Sequence, residues 1–169
     1  MKKFLSVLLL LGSFALSSSA QTKTGVFSIG AEGGLSVGNY SDLYKFGIGA
    51  SLKYDYPVQK NTYITFSAGY INYSIKDDAK ALLRFLGSDQ SSSGFVPVKV
   101  GAKYYFDDAF FGEAQVGAAI ATSSGGGTAF AYSPGIGYTH QKIEFGVRYE
   151  AWSKNSTFGQ FGLRLAYRF

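Results

Sequence analysis

The chain contains no cysteine, which rules out a disulfide framework and any thiolate metal site. It has a single histidine, His140, so a His-rich metal centre is excluded as well. Charge is scarce: Lys, Arg, Asp and Glu make up 16% of 169 residues, low for a soluble globule. Beyond residue 20 no apolar run comes near the roughly 18 residues that a membrane-crossing helix needs. The mature chain can therefore span a bilayer only as a closed β-barrel, the other way to satisfy every backbone group in lipid. The Ser/Gly-rich run Thr122 to Gly127 lacks the following Gly-Lys-Ser/Thr of a phosphate loop, and no motif calls for a cofactor. What the chain has in plenty is glycine, 22 residues, and aromatics, 17%. That mixture suits strands wrapped round a narrow lumen.

Residues 1–20 read as a secretory signal peptide. Met1-Lys2-Lys3 is basic, Phe4 to Leu16 is apolar but too short to span, and Ser18-Ser19-Ala20 supplies small residues before a cut between Ala20 and Gln21. Residues 21–169 then form one domain. Removing the leader deletes Lys2 and Lys3 and leaves 14 basic residues against 11 acidic ones. In an exported chain this balance gives no reason to expect a nucleic-acid partner.

The organising stretch is the last one. Phe161, Leu163, Leu165, Tyr167 and Phe169 alternate with Gly162, Arg164, Ala166 and Arg168, a period of two that makes a strand with two unlike faces. The same alternation recurs in seven earlier segments, near 26–37, 46–56, 62–73, 96–106, 110–120, 129–138 and 143–152. Only the upper end of the third, at Ile71, Tyr73 and Ile75, loses it. Short turns are expected at 57–61, 107–109 and 140–142, and longer connections at 38–45, 74–94 and 122–127. Within 74–94 a helix from Asp78 to Leu86, stopped by Gly87, is expected, either folded over a rim or offered as a binding surface. Pro97 and Pro134 each remove a ladder N–H, so a bulge or a broken ladder is expected at one or both.

The polarity of the faces decides the class. One face of these strands is apolar and uncharged; the other carries Lys53, Lys99, Lys103, Arg148, Arg164 and Arg168 with Glu32, Asp55, Glu113, Glu144 and Glu150. A soluble lipocalin-like barrel needs the reverse arrangement. Two interior groups are expected: Lys99 and Lys103 with Glu113, and Glu32 with Arg148, Arg164, Glu144 and Glu150. Buried charge persists only when paired, so such groups either plug the barrel or line a small pore. Aromatics such as Tyr54, Tyr104, Tyr138 and Tyr167, and Phe46, Tyr70, Phe130 and Phe161, fall near the two strand ends as girdles.

Together these features resemble the small eight-stranded bacterial outer-membrane β-barrels of the OmpX, OmpA-domain and OmpW kind. The expected fold is thus an all-β, eight-stranded, antiparallel, up-and-down transmembrane barrel behind a cleavable signal peptide. The resemblance implies an outer-membrane location in a Gram-negative cell, with both termini periplasmic and the chain monomeric. It implies contact with outer-membrane lipids and lipopolysaccharide, and insertion by the outer-membrane assembly machinery acting on Phe161, Leu163, Leu165, Tyr167 and Phe169. It implies no catalytic residues, metal or cofactor. The leading expectation is a non-enzymatic envelope protein whose outer loops are free to touch a partner. Passage of small or hydrophobic solutes is the alternative. A soluble carrier and a lipid A-modifying enzyme are further ones, although His140, in a turn on the far side, suits the enzyme poorly.

Overall fold

The structure, a computed structural model, describes residues 24–38, 41–85, 91–123 and 126–169. The signal peptide, its cut between Ala20 and Gln21, and the helix stop at Leu86 and Gly87 lie outside the described residues. Among the described residues there are eight strands: β1 (Val26–Val37), β2 (Tyr44–Gln59), β3 (Thr62–Ile75), β4 (Ser92–Tyr105), β5 (Phe110–Ala121), β6 (Thr128–His140), β7 (Ile143–Ser153) and β8 (Thr157–Arg168). Each pairs antiparallel with the next, and β8 returns to pair with β1, so the sheet closes and has no edge. No helix among the described residues is long and apolar enough to cross a membrane.

The alternating residues take the faces that their pattern demands. Phe27, Ile29, Leu52, Phe66, Val100, Leu163 and Leu165 stand exposed on the outside, while Ser28, Glu32, Lys53, Thr65, Lys103 and Arg164 are buried within. Between the girdles no outward residue of β1 to β8 is charged. Ala151, on the outward parity, is nevertheless covered completely.

Three readings are corrected. The third strand does not lose its alternation: Ile71, Tyr73 and Ile75 continue the inward face and are buried. The lumen is simply apolar at that end. The first turn is narrower than 57–61, because Pro57, Val58 and Gln59 belong to β2 and only Lys60 and Asn61 turn, Asn61 at φ 64°. Asn tolerates that left-handed conformation better than most residues. The long connection shrinks to residues 76–91, with helix α1 at Asp77–Phe85.

Both awkward prolines leave a gap in a ladder. Between β3 and β4 pairing stops after Ala68↔Val98 and resumes at Ile71↔Phe95, beside Pro97. Between β6 and β7 it stops at Tyr132↔Ala151 and resumes at Gly135↔Arg148, beside Pro134. The register is unchanged across each gap, so neither proline forces a bulge. Register shifts occur instead in β2–β3, at Tyr44/Gly47 and at Pro57/Gln59.

At the β4–β5 turn the Asp107 carboxylate accepts hydrogen bonds from the N–H groups of Phe110 (2.6 Å) and Ala109 (2.7 Å). Those donors favour the charged form and hold its carboxyl below the usual carboxylate range.

Interior glycines let the strands curve tightly. A Cβ at Gly101 would run into the Ala114 carbonyl and the Gln115 Cα of β5, which are backbone and cannot step aside. At Gly146 the nearest atom, the Ile136 carbonyl oxygen, is 3.9 Å away. Gly101→Ala is therefore expected to destabilise the barrel by about 1–3 kcal/mol. Gly146→Ala should be neutral or stabilising by up to about 1 kcal/mol, since alanine has less chain entropy to lose. Urea midpoints of the refolded variants check this; equal midpoints would contradict the crowding argument.

Candidate functional site

The lumen holds the chain's concentrated chemistry, and ladder register brings the first partners together. Lys103 stands directly opposite Glu113, and Glu32 opposite Arg164. The remaining contacts cross the barrel. In the layer nearer the short turns, Lys103 Nζ lies 2.5 Å from Asp55, 2.8 Å from Glu144 and 3.7 Å from Glu113. Lys53 Nζ donates to Glu144 at 2.6 Å and to Glu113 at 2.9 Å. In the next layer Lys99 Nζ donates to Glu150 at 2.6 Å. Arg148 there bridges Glu150 and Glu32, each at 2.7 Å. Arg164 joins the layers, at 3.1 Å from Glu144 and 3.4 Å from Glu32, and also donates to Ser51 and Ser28. Ser51 in turn donates to Glu32. Arg168 sits at the margin, 3.9 Å from Glu144.

This partly redraws the two expected groups. Lys99 leaves Lys103 and Glu113 and joins Glu150 and Arg148. Glu144 joins Lys53 and Lys103 while keeping Arg164. Lys53 and Asp55, which sequence reading placed inside without partners, are central to the lower layer. Six cations face five carboxylates along the axis, and every carboxylate has a cation within 2.7 Å or, for Glu113, 2.9 Å.

Aromatic side chains close both ends of the ionic column. Toward the long connections Tyr73 packs against Phe158, Tyr44, Trp152 and Phe95, with ring centroids 5.3, 5.8, 6.0 and 6.2 Å away. Tyr73 also donates to Gln160, and Trp152 Nε1 donates to Glu150 at 2.7 Å. Sequence reading assigned no face to Phe95 or Phe158, which lie just outside the segments it drew. Toward the short turns Tyr105 packs on Phe111 at 5.4 Å and on Tyr63 at 5.6 Å, and Lys103 Nζ sits 4.4 Å from the Phe111 ring centroid. The space left inside is small. One cavity of about 30 Å³ lies among Glu32, Lys99, Arg148 and Glu150, and one of about 20 Å³ lies among Lys53, Glu113, Glu144 and Arg164. Each has room for a water or two and no larger solute.

The other sequence-derived residues lie elsewhere. Phe161, Leu163, Leu165, Tyr167 and Phe169 form one exposed column on the outside of β8. His140 ends β6, exposed, its ring stacked on Tyr138 at 6.4 Å. Among the described residues no group of three His, Asp or Glu is placed to hold a metal ion.

No family model matches the chain, and no curated protein matches it. Solved structures do. The attachment invasion locus protein Ail of Yersinia pestis is 19% identical, with a TM-score of 0.58 over 86% of this chain and 97% of its own. The N-terminal β-barrel domain of Pseudomonas aeruginosa OprF is 14% identical, with a TM-score of 0.55 over 86% of this chain and 100% of its own. A de novo designed transmembrane β-barrel is also 14% identical, with a TM-score of 0.55 over 89% of this chain and 100% of its own. At these identities the likeness is one of architecture. By fold, then, the chain is a closed eight-stranded antiparallel β-barrel similar to these small outer-membrane barrels, greasy outside and ionic within.

Proposed function

We propose that the chain is a non-enzymatic integral protein of a Gram-negative outer membrane, whose ion-paired lumen is a plug and whose outer connections are the surface offered to partners. The observation that carries the reading is the unbroken column from Lys103 through Arg164 to Lys99, closed by aromatics at both ends. Moving an ion along it requires breaking buried pairs, each costly to open. An eight-stranded wall leaves little more than side-chain room in any case.

Residues 1–20 serve for export in this reading, and residues 21–169 are the mature monomer with both termini in the periplasm. The outward column Phe161, Leu163, Leu165, Tyr167 and Phe169 is what the outer-membrane assembly machinery recognises. Outer-membrane lipids and lipopolysaccharide surround the wall. Planar-bilayer recording tests the plug. Protein refolded to its heat-modifiable compact form is expected to give no stable single-channel steps. Reproducible steps of constant size would overturn the plug and favour solute passage.

A further inference from the structure

Pro97 removes one particular bond from the wall. Odd-numbered residues of β4 turn their backbone groups toward β3, as the Tyr105 N–H shows by donating to the Asn61 carbonyl at 2.8 Å. The register runs without a shift from there to Ala68↔Val98, so Gly69 stands opposite Pro97 at a rung of the same bonded kind. On its other flank Pro97 pairs with Ala119 in an unbroken ladder. The N–H that proline lacks was therefore due to the Gly69 carbonyl, and pairing resumes at Ile71↔Phe95. Among the described residues no side-chain hydrogen bond to Gly69 makes up the loss.

With acyl tails against the outer wall, nothing outside the barrel can donate to that carbonyl, and an unpaired backbone group in lipid is costly. The donor has to come from the lumen. The cavity of about 30 Å³ lies against this rung: Gly69 and Pro97 line it together with Lys99, Gln115 and Glu150. Lys99 is buried, and among the described residues its ammonium group has one partner, Glu150 at 2.6 Å. An ammonium group carries three N–H donors, so two remain. Lys103, by contrast, is shared by Asp55 and Glu144. Gln115 is already engaged, since its amide donates to Thr65 and its oxygen accepts from Ser67.

We propose that the cavity at Pro97 is a binding site for one water, which accepts a hydrogen bond from Lys99 Nζ and donates one to the Gly69 carbonyl. The two needs fix the occupant, because it must accept from a cation and donate to a carbonyl within one small space. A simple anion has nothing to donate, and a metal cation cannot accept. Water does both and fits the volume. The bridge ties the broken rung of β3 to Lys99, and through Glu150 to Arg148 and Glu32. The gap at Pro134 differs: Tyr149, opposite it by register, does not line the nearby cavity of about 20 Å³. The site deepens the plug and rests on the outer-membrane reading, which puts acyl tails outside.

A crystal structure of the refolded mature barrel, at a resolution that shows ordered solvent, tests the site. One solvent peak is expected within hydrogen-bond distance, about 2.5–3.2 Å, of both the Gly69 oxygen and Lys99 Nζ. Nuclear magnetic resonance of the same protein in lipid nanodiscs supplies a second readout. The Gly69 amide is expected to show a transfer peak from water with the sign of a long-lived contact. The Val100 amide, beside the complete rung Val100↔Val116, is expected to show none. Pro97→Val keeps the volume and supplies the missing N–H, so the Gly69 peak should fall to the Val100 level. A peak unchanged in that variant would come from the Lys99 ammonium protons and refute the bridge. A Gly69 oxygen without solvent, or solvent touching only one of the two groups, would also overturn it. Both proteins are first checked for the heat-modifiable band in lipid. A closed barrel without the water refutes this site alone, whereas failure to insert refutes the membrane reading.

Discussion

Replacing Lys103 with methionine is expected to destabilise the folded barrel by about 3–5 kcal/mol, the usual loss when one partner of a buried ion pair is removed. Lys103 is completely buried, and its ammonium group serves Asp55, Glu144 and, more distantly, Glu113. Methionine keeps the length and packing but leaves three carboxylates to Lys53 and Arg164. Asp55 is the partner that depends most on Lys103, since, among the described residues, its Oδ1 has no hydrogen bond and its Oδ2 is ion-paired with Lys103 alone. Adding Asp55→Asn should therefore recover part of the loss, with a coupling of about 0.5–3 kcal/mol between the two sites. Urea unfolding in lipid vesicles, followed by the mobility shift of the unheated protein, measures all four members of the cycle. A Lys103→Met midpoint equal to the unaltered protein's, or a strictly additive cycle, would show that the column contributes nothing as a network.

The second large effect lies on the opposite face of the wall. Leu165 pairs with Ala31 on one side and Phe145 on the other, exposed on the outside of the barrel. Leu165→Arg puts a guanidinium among acyl tails, at about 2–4 kcal/mol near mid-depth. Three residues earlier Gly162 faces the lumen, where a Cβ would come 3.1 Å from the Arg148 side chain. That side chain is long enough to give way, so Gly162→Ser should cost about 1 kcal/mol, the low end of overpacking. On expression the arginine variant should lose the compact band and the serine variant keep it. Compact bands of equal intensity and equal midpoints for both would mean that the faces are misassigned.

Both predictions rest on what a linear pattern does and does not carry. Period two is local, so the faces of Leu165 and Gly162, or of Lys103 and Tyr104, are legible from the alternation alone. Neighbours across one ladder are nearly as accessible, which is why Lys103 with Glu113 and Glu32 with Arg164 fell into the right groups. Lys53 with Glu144 and Lys99 with Glu150 span the lumen, and their meeting depends on how far successive strands are staggered. No spacing within one strand records that stagger. Ile71, Tyr73 and Ile75 show the other limit. Alternation locates a face by contrast, and the upper end of β3 has apolar residues on the inside as well, so the contrast fades although the geometry continues. Pro57 misled for a third reason: a proline followed by Lys60-Asn61 looks like a turn, yet it sits within β2 beside a register shift.

Trp152 is the chain's only tryptophan, and it is gripped by rings from β3, β4 and β8 while its own strand supplies Glu150. An indole so placed leaves water only when non-adjacent strands have come round to meet. Its emission consequently reports closure of the cylinder, not the earlier partition of single hairpins into the bilayer. The protein carries a built-in gauge of its own completion, aimed at the axis and screened from the surrounding lipid.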